Sequence, residues 1–310
     1  MRFNSIVLFI LTISTFFSCE EKMTKEEVLK IGITSCRSSG SFIKTLGFDP
    51  TRSELSTTEP AFTGVVLIEH PRNMADSASK KTYQDRSWAL HGFMGSITSD
   101  SDGNTYTAPL PKTNKHGSPW SEMNKIYKID SETGEMAVLT ELAKEDSSSG
   151  VYPLAVLGIY YDCNGKKIYA SSVAGSTKEK EKGVIYVVDP ENGDVVDKLK
   201  GHDAIAVFVG GVTGEKRLYF GSARSSDIYS IELTKSGKFK GDVRKECSLE
   251  NLGSRGDDKA NRIRFDENGN MMVFGVKFNY NPVTPNEKAE TLYQFAYNGD
   301  KKKWITIQGR

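Results

Sequence analysis

The segment GVIYVVDPENGDVV, from Gly183 to Val196, reads as strand, tight turn, strand, and its kind recurs along the chain. Val184, Tyr186 and Val188 are expected on one face of the first strand, with Ile185 and Val187 on the other, because side chains alternate along a pleated backbone. β-branched and aromatic residues suit that setting. Asp189 to Gly193 supplies the turn: Asp and Asn side chains bond the local backbone, and Gly accepts positive φ. Just before it, LGIYYDCNGKKIYASSV (Leu157 to Val173) forms two more strands around Cys163-Asn164-Gly165. The polar run AGSTKEKEK links the two hairpins and reads as a solvated loop. The unit is therefore four short strands in roughly fifty residues.

The same order appears over Gly95 to Leu142, Ile205 to Val243 and Asn261 to Ile307, and more faintly over Phe42 to Leu90. Third-strand tyrosines recur at Tyr127, Tyr186, Tyr229 and Tyr293, with second-strand counterparts at Tyr106, Tyr169, Tyr219 and Val273. A four-stranded sheet with two apolar faces cannot bury both alone. Radial packing lets each sheet cover its neighbour and leaves only short edges exposed. The expected fold is an all-β β-propeller of four-stranded blades, five by count, with six as the alternative. A β-sandwich would show seven to nine strands at irregular spacing, against about twenty in groups of four. Helix is expected only at TKEEVLK, Thr24 to Lys30.

The leading end differs from the rest. MRFNSIVLFILTISTFFSCEEK has one basic residue, Arg2, an apolar stretch from Ile6 to Phe17, and then Ser18-Cys19 before charge begins at Glu20. The apolar stretch suits a secretory signal better than a spanning helix. A small residue followed by cysteine looks like a bacterial lipobox, in which the cysteine becomes the acylated first residue. The expected division is 1–18 signal peptide, 19–41 lipidated tether and 42–310 propeller. The expected address is the bacterial cell envelope, with the membrane reached only through lipid on Cys19. Of the other cysteines, Cys36, Cys163 and Cys247, an odd one stays unpaired; one disulfide is open to the rest in an oxidising compartment, although idle thiols are the plainer expectation.

Net charge is +1, with 26% charged and 37% hydrophobic residues. Nucleic acid is an unexpected partner, since phosphate binding needs lysine and arginine in clustered excess. No G-x-S-x-G, phosphate-cradling glycine loop or His/Cys metal cluster occurs.

The pairing of D-x-x-G-N/K-x-x-Y with I-Y-x-x-D-x-x-T/N-G resembles the NHL, YncE-like, TolB-like and gluconolactonase-type propellers, and with its leader the chain is similar to lipoprotein propellers of the Bacteroidetes kind. The resemblance speaks to architecture, since these motifs are turn and core residues. Gluconolactonase-type members are metal-dependent hydrolases. Their metal-binding Asn-Gly pair falls here on Leu157-Gly158, and leucine cannot ligate; their Asp-Gly pair falls on Asn261-Arg262, ahead of Asp266.

Propellers recognise partners at one end of the channel, through the loops leading into innermost strands and those joining second to third strands. In GSRGDDKANRIRF, Arg255, Lys259 and Arg262 are candidates to clamp a carboxylate or phosphate, and Asp257 and Asp258 to hold a cation or act as a base. His202 and Asp203 precede another inner strand, and Arg224 lies in GSARSSD; a structural histidine, solvated loops and internal ion pairs are the competing expectations. His116 and Trp120 occupy the matching loop of the second copy. The expected role is a non-catalytic binding module for a small anionic or sugar-like ligand or an envelope protein, with no catalytic residue, resident metal or cofactor. The alternative is a metal-dependent lactonase using Asp257, Asp258, Asn261 and His202 with a divalent cation. A purely structural assembly component is a third reading.

Overall fold

A computed structural model describes residues 23–72, 80–110, 122–143, 155–280 and 289–309. The strands there form five antiparallel sheets, the blades of a β-propeller. Blade 1 holds β1 (Ser53–Ser56), β2 (Val66–Glu69) and β3 (Lys81–Tyr83). Blade 2 holds β4 (Met94–Ser99), β5 (Thr105–Pro109), β6 (Lys125–Ile129) and β7 (Met136–Glu141). Blade 3 holds β8 (Val156–Asp162), β9 (Lys167–Ser172), β10 (Val184–Val188) and β11 (Val195–Lys200). Blade 4 holds β12 (Ala204–Gly210), β13 (Arg217–Ser222), β14 (Asp227–Leu233) and β15 (Phe239–Ser248). Blade 5 holds β16 (Lys259–Phe265), β17 (Met271–Val276), β18 (Thr291–Asn298) and β19 (Lys303–Gly309). The innermost strands β4, β8, β12 and β16 pack against one another in that order.

The alternation expected in β10 is what joins the blades. Val184, Tyr186 and Val188 pack with Tyr106 and Ile126 of blade 2, while Ile185 and Val187 pack with Leu218 and Phe220 of blade 4. Blade 4 meets blade 5 through Phe208, Tyr219, Ile263 and Phe265. Blade 1 meets blade 2 through Leu67, Trp88, Tyr127 and Met136. Blades 2, 3 and 4 thus each supply a wall to two apolar layers, and burial of those layers drives assembly. Tyr106, Tyr127, Tyr169, Tyr219 and Tyr293 are all fully buried. Tyr169 and Tyr186 send their hydroxyls to the carbonyls of Gly237 (2.6 Å) and Ala143 (2.7 Å), as buried phenols require.

Blade 1 departs from expectation. Among the described residues it has three strands, and Ser41–Thr45 is helix α2 rather than strand. The neighbours Phe42 and Ile43 are both buried in the layer between blades 1 and 2. A helical turn lets adjacent side chains share one side in this way, and a half-buried strand does not.

The segment before blade 1 forms a strap across one pole of the propeller, where turns join first to second and third to fourth strands. Helix α1 (Lys25–Lys30) opens with a reciprocal capping box between Thr24 and Glu27, as its sequence predicts. The strap then meets the blade 4 turn, where Gly211 N donates to Ile31 O (3.1 Å), and Ile33 packs beside Val212 and Gly269. Cys36 forms a disulfide with Cys163 in the blade 3 turn, while Cys247 stays free and partly buried. Ser38 N donates to Asp100 O (3.0 Å), and Ser41 Oγ to Ser131 O (3.1 Å), both in blade 2 turns. So residues 24–45 touch blades 4, 5, 3 and 2 before the chain enters blade 1.

Gly211 sets how close the strap comes. A Cβ there would lie 1.8 Å from Val28 O. Gly211→Ala is expected to push α1 outward, cost about 1–3 kcal/mol, and speed proteolysis around residues 24–31. An unchanged digestion pattern would show that the strap does not depend on this contact.

Candidate functional site

The strap covers the turn pole, so loops leading into innermost strands meet at the opposite one. Asp203, on the approach to β12, is buried there and organises four segments. Its Oδ1 accepts from Gly183 N (2.7 Å) and Ser176 Oγ (2.5 Å), and its Oδ2 from Tyr280 OH (2.6 Å). Arg224 Nε stands 2.7 Å from that Oδ2. Arg224 also donates to Thr177 O (2.8 Å) and Lys178 O (3.1 Å), and its Cζ lies 5.2 Å from the Tyr280 ring centroid. Arg224 is therefore a brace pinning the 174–183 loop, which is ordered by these bonds rather than merely solvated. Burial, then the Asp203 carboxylate, push the Tyr280 phenol well above its ordinary value.

His202 takes no part in that network. Its ring packs 5.3 Å from the Phe220 ring, and burial lowers its proton affinity against the opposing pull of Glu181 and Asp203. The adjacent His-Asp pair thus serves two separate environments.

A second network lies beside the first. Arg255 donates to both Asp258 oxygens (2.5 and 2.9 Å) and to Thr291 Oγ1 (2.8 Å), and Tyr293 OH donates to Asp258 Oδ2 (2.8 Å). The Asp258 carboxylate is fully buried; burial alone would raise its pKa, but the bonds from Arg255 and Tyr293 outweigh it and the net shift is downward. Arg255 is therefore committed to holding the lead-in of β16 together. Lys259 Nζ donates to Asp257 O (2.8 Å) and Ser226 Oγ (3.3 Å), which ties this loop to the one carrying Arg224. Residue 224 and residues 255–262 consequently share a pole.

β16 has two unlike faces. Ile263 and Phe265 pack toward blade 4, so Arg262 and Arg264 lie on the face turned away from it. Arg262 stacks its Cζ 4.0 Å from the Phe274 ring centroid and donates to Glu290 Oε2 (2.7 Å), and its buried Nε has no hydrogen-bond partner among the described residues. Asn261 Nδ2 reaches the other Glu290 oxygen at 3.3 Å. Burial, then the nearby guanidinium charges of Arg262 and Arg37, lower the proton affinity of Arg264. Arg37 comes from the strap, with its Cζ 5.4 Å from the Tyr160 ring centroid in β8. Nothing in the sequence around Arg37 marks it, since only the fold carries the strap to β16.

The groups considered for metal chemistry do not converge. Asp258 is occupied by Arg255 and Tyr293, Asn261 by Glu290, and His202 sits on Phe220. Asp266 closes its own turn through Asn268 N and Asn270 N. Among the described residues, no group of three or more His, Cys, Asp or Glu side chains could hold an ion. His116 and Trp120, like Cys19 and the leader, lie outside the described residues.

No protein-family model matches the chain, and no curated protein sequence is similar to it. Solved structures share its general form. A candidate 6-phosphogluconolactonase from Bacteroides uniformis is 11% identical, with a TM-score of 0.49 over 83% of this chain and 67% of that one. A protein of unknown function from Bacteroides caccae is 11% identical, with a TM-score of 0.45 over 84% and 73%. The soluble aldose sugar dehydrogenase of Escherichia coli is 12% identical, with a TM-score of 0.40 over 72% and 74%.

Proposed function

We propose that this protein is a lipid-anchored propeller of the cell envelope that binds a small anionic ligand, a sugar acid or carboxylate among the candidates, at the pole opposite its strap. One observation carries the reading. The strap crosses the turn pole, while Lys259 and Arg262 lie on a strand that starts at the other pole, and among the described residues the acid paired with Arg262 is Glu290. A guanidinium paired with one carboxylate, like Arg262, or an ammonium held by a carbonyl and a hydroxyl, like Lys259, keeps donors for an incoming oxyanion. Rigid blades position these groups and the loops supply recognition.

Two further features support the location. The Cys36–Cys163 bond suits an oxidising compartment. Cys19 precedes Met23 by four residues, a reach of at most about 14 Å, and the strap starting at Met23 lies on the turn pole. Acylation at Cys19 would direct that pole to the membrane and the loop pole outward.

Calorimetry on the mature chain with small carboxylates and sugar acids, against neutral sugars, tests the binding role. Lys259→Ala with Arg262→Ala is expected to weaken binding at least tenfold while leaving the melting temperature within about 2 °C, because these are partly exposed groups whose surface pairs contribute little to stability. Arg255 is unsuited to this test, since its loss strands buried Asp258. Equal affinity in the double variant, or no preference for acids over neutral sugars, would remove the anion reading.

A further inference from the structure

A cavity of about 420 Å³ opens at the turn pole, where the strap crosses the seam between blades 4 and 5. That size falls within the roughly 300–1,000 Å³ of small-molecule sites. Helix α1 supplies one wall through Lys25 and Leu29, the β16–β17 turn supplies Asn268 and Asn270, and β18 supplies Tyr297. Each wall is fixed by its own contacts. Gly211 N donates to Ile31 O (3.1 Å), and the missing Cβ of Gly211 lets Val28 O come close, so α1 is held against blade 4. The Asp266 carboxylate accepts from Asn268 N (2.9 Å), Asn270 N (2.8 Å) and Asn270 Nδ2 (2.9 Å), which locks the blade 5 turn. Tyr297 rests on the apolar layer between blades 4 and 5, its ring centroid 5.2 Å from that of Trp304.

The chemistry of the lining selects a ligand class. Among the described residues, the Lys25 ammonium has no ion pair, and the Asn268 amide and the Tyr297 hydroxyl have no hydrogen-bond partner. Lys25 and Asn268 are exposed and Tyr297 is half-buried, so all three are within reach of a ligand. No carboxylate is among the described lining groups, which leaves a metal ion without its preferred donor. A multivalent anion would meet one cation only. An apolar ligand would strand the amide and the ammonium. An uncharged molecule dense in hydroxyls satisfies every group: amides both donate and accept, and an ammonium has three donors. The negative face of a tyrosine ring also suits the C–H edge of a pyranose.

We propose that this cavity binds a neutral saccharide unit between the strap and the blade 4–blade 5 seam. The inference goes beyond the anion-binding reading, since the cavity lies at the opposite pole and uses neither Lys259 nor Arg262. Because α1 forms a wall, the bound sugar stabilises the docked strap over a detached one by mass action. Occupancy and strap order are therefore linked.

The test is calorimetry on the mature chain with glucose, galactose, N-acetylglucosamine and maltose, and with acetate and adenosine as controls. At least one sugar is expected to bind at a single site. Asn268→Ala and Tyr297→Ala should each weaken it by about tenfold, the loss of one hydrogen bond or one stacking wall. Gly211→Ala should weaken it severalfold by displacing α1. Lys259→Ala with Arg262→Ala should leave it unchanged, which separates this site from the anion site. Saturating sugar should also slow proteolysis within residues 24–31 severalfold in the parent but not in Asn268→Ala. Asn268→Ala removes an exposed side chain with no described partner, so it keeps the test decisive if Tyr297→Ala fails to fold. No binding of any of the four sugars, tighter binding of adenosine, or parent-like sugar affinity in Asn268→Ala overturns the inference and leaves the anion reading untouched. Sugar binding that leaves cleavage of the strap unchanged overturns its placement against α1.

Discussion

Reduction of the Cys36–Cys163 bond, or its removal as Cys36→Ser with Cys163→Ser, is expected to lower the melting temperature by on the order of 8 °C. The bond joins residues 127 apart in sequence. Closing so long a loop in the unfolded chain removes entropy equivalent to about 5 kcal/mol in the chain-entropy model. The native state also loses a fixed strap, because Cys36 lies between the Gly211–Ile31 contact in blade 4 and the Ser38–Asp100 contact in blade 2. Two effects should therefore separate in experiment. Scanning calorimetry reads the global loss, and limited proteolysis reads early cleavage within residues 24–50 before the blades are cut. Identical midpoints with and without reductant would mean that the crosslink restrains nothing the other strap contacts do not.

Asp258→Ala is expected to destabilise the fold by about 3–5 kcal/mol. It would leave the Arg255 guanidinium, held beside Gly275 O and Thr291, without its carboxylate, and the Tyr293 hydroxyl without its 2.8 Å acceptor. The cost comes from stranding those donors, so a companion change should reduce it. Asp258→Leu with Arg255→Met is expected to recover much of the loss, because two apolar groups replace a pair rather than break it. The same carboxyl predicts the acid limb of stability. Its folded-state pKa lies below 3.8, whereas the unfolded value is about 3.9. Its contribution is complete above the unfolded value and is lost as pH falls through the folded one. In Asp258→Ala the slope of stability against pH below about 4 should be shallower. A slope equal to the parent's would assign acid unfolding to other carboxylates.

Much of the architecture could be read along the chain because its signals are local. Val184 to Val188 alternate, Asp189 to Gly193 turn, and both behave as their residue types require, with Gly193 at φ 78° and its N donating to Asp189 O. Repetition of that pattern implies radial packing without knowledge of any contact. The faint first copy misled at Phe42 and Ile43, where two neighbouring apolar residues read as strand but wind as α2.

The candidate site was legible only in part. Arg224, Lys259 and Arg262 were visible as polar residues at loops of one pole, but their partners were not. Tyr280 meets Asp203 across 77 positions, and Arg255 is held by Thr291 across 36. Which arginine braces and which faces outward depends on where distant carboxylates fall.

Strand periodicity, turn chemistry and the number of blades are properties of neighbours a few residues apart, so the order of amino acids carries them unaided. The strap over one pole, the pairing of Cys36 with Cys163, and the meeting of Asp203 with Tyr280 arise when distant segments of the chain close around one axis. Charges from separate segments interact only at the distances that packing imposes, and no stretch of sequence states those distances.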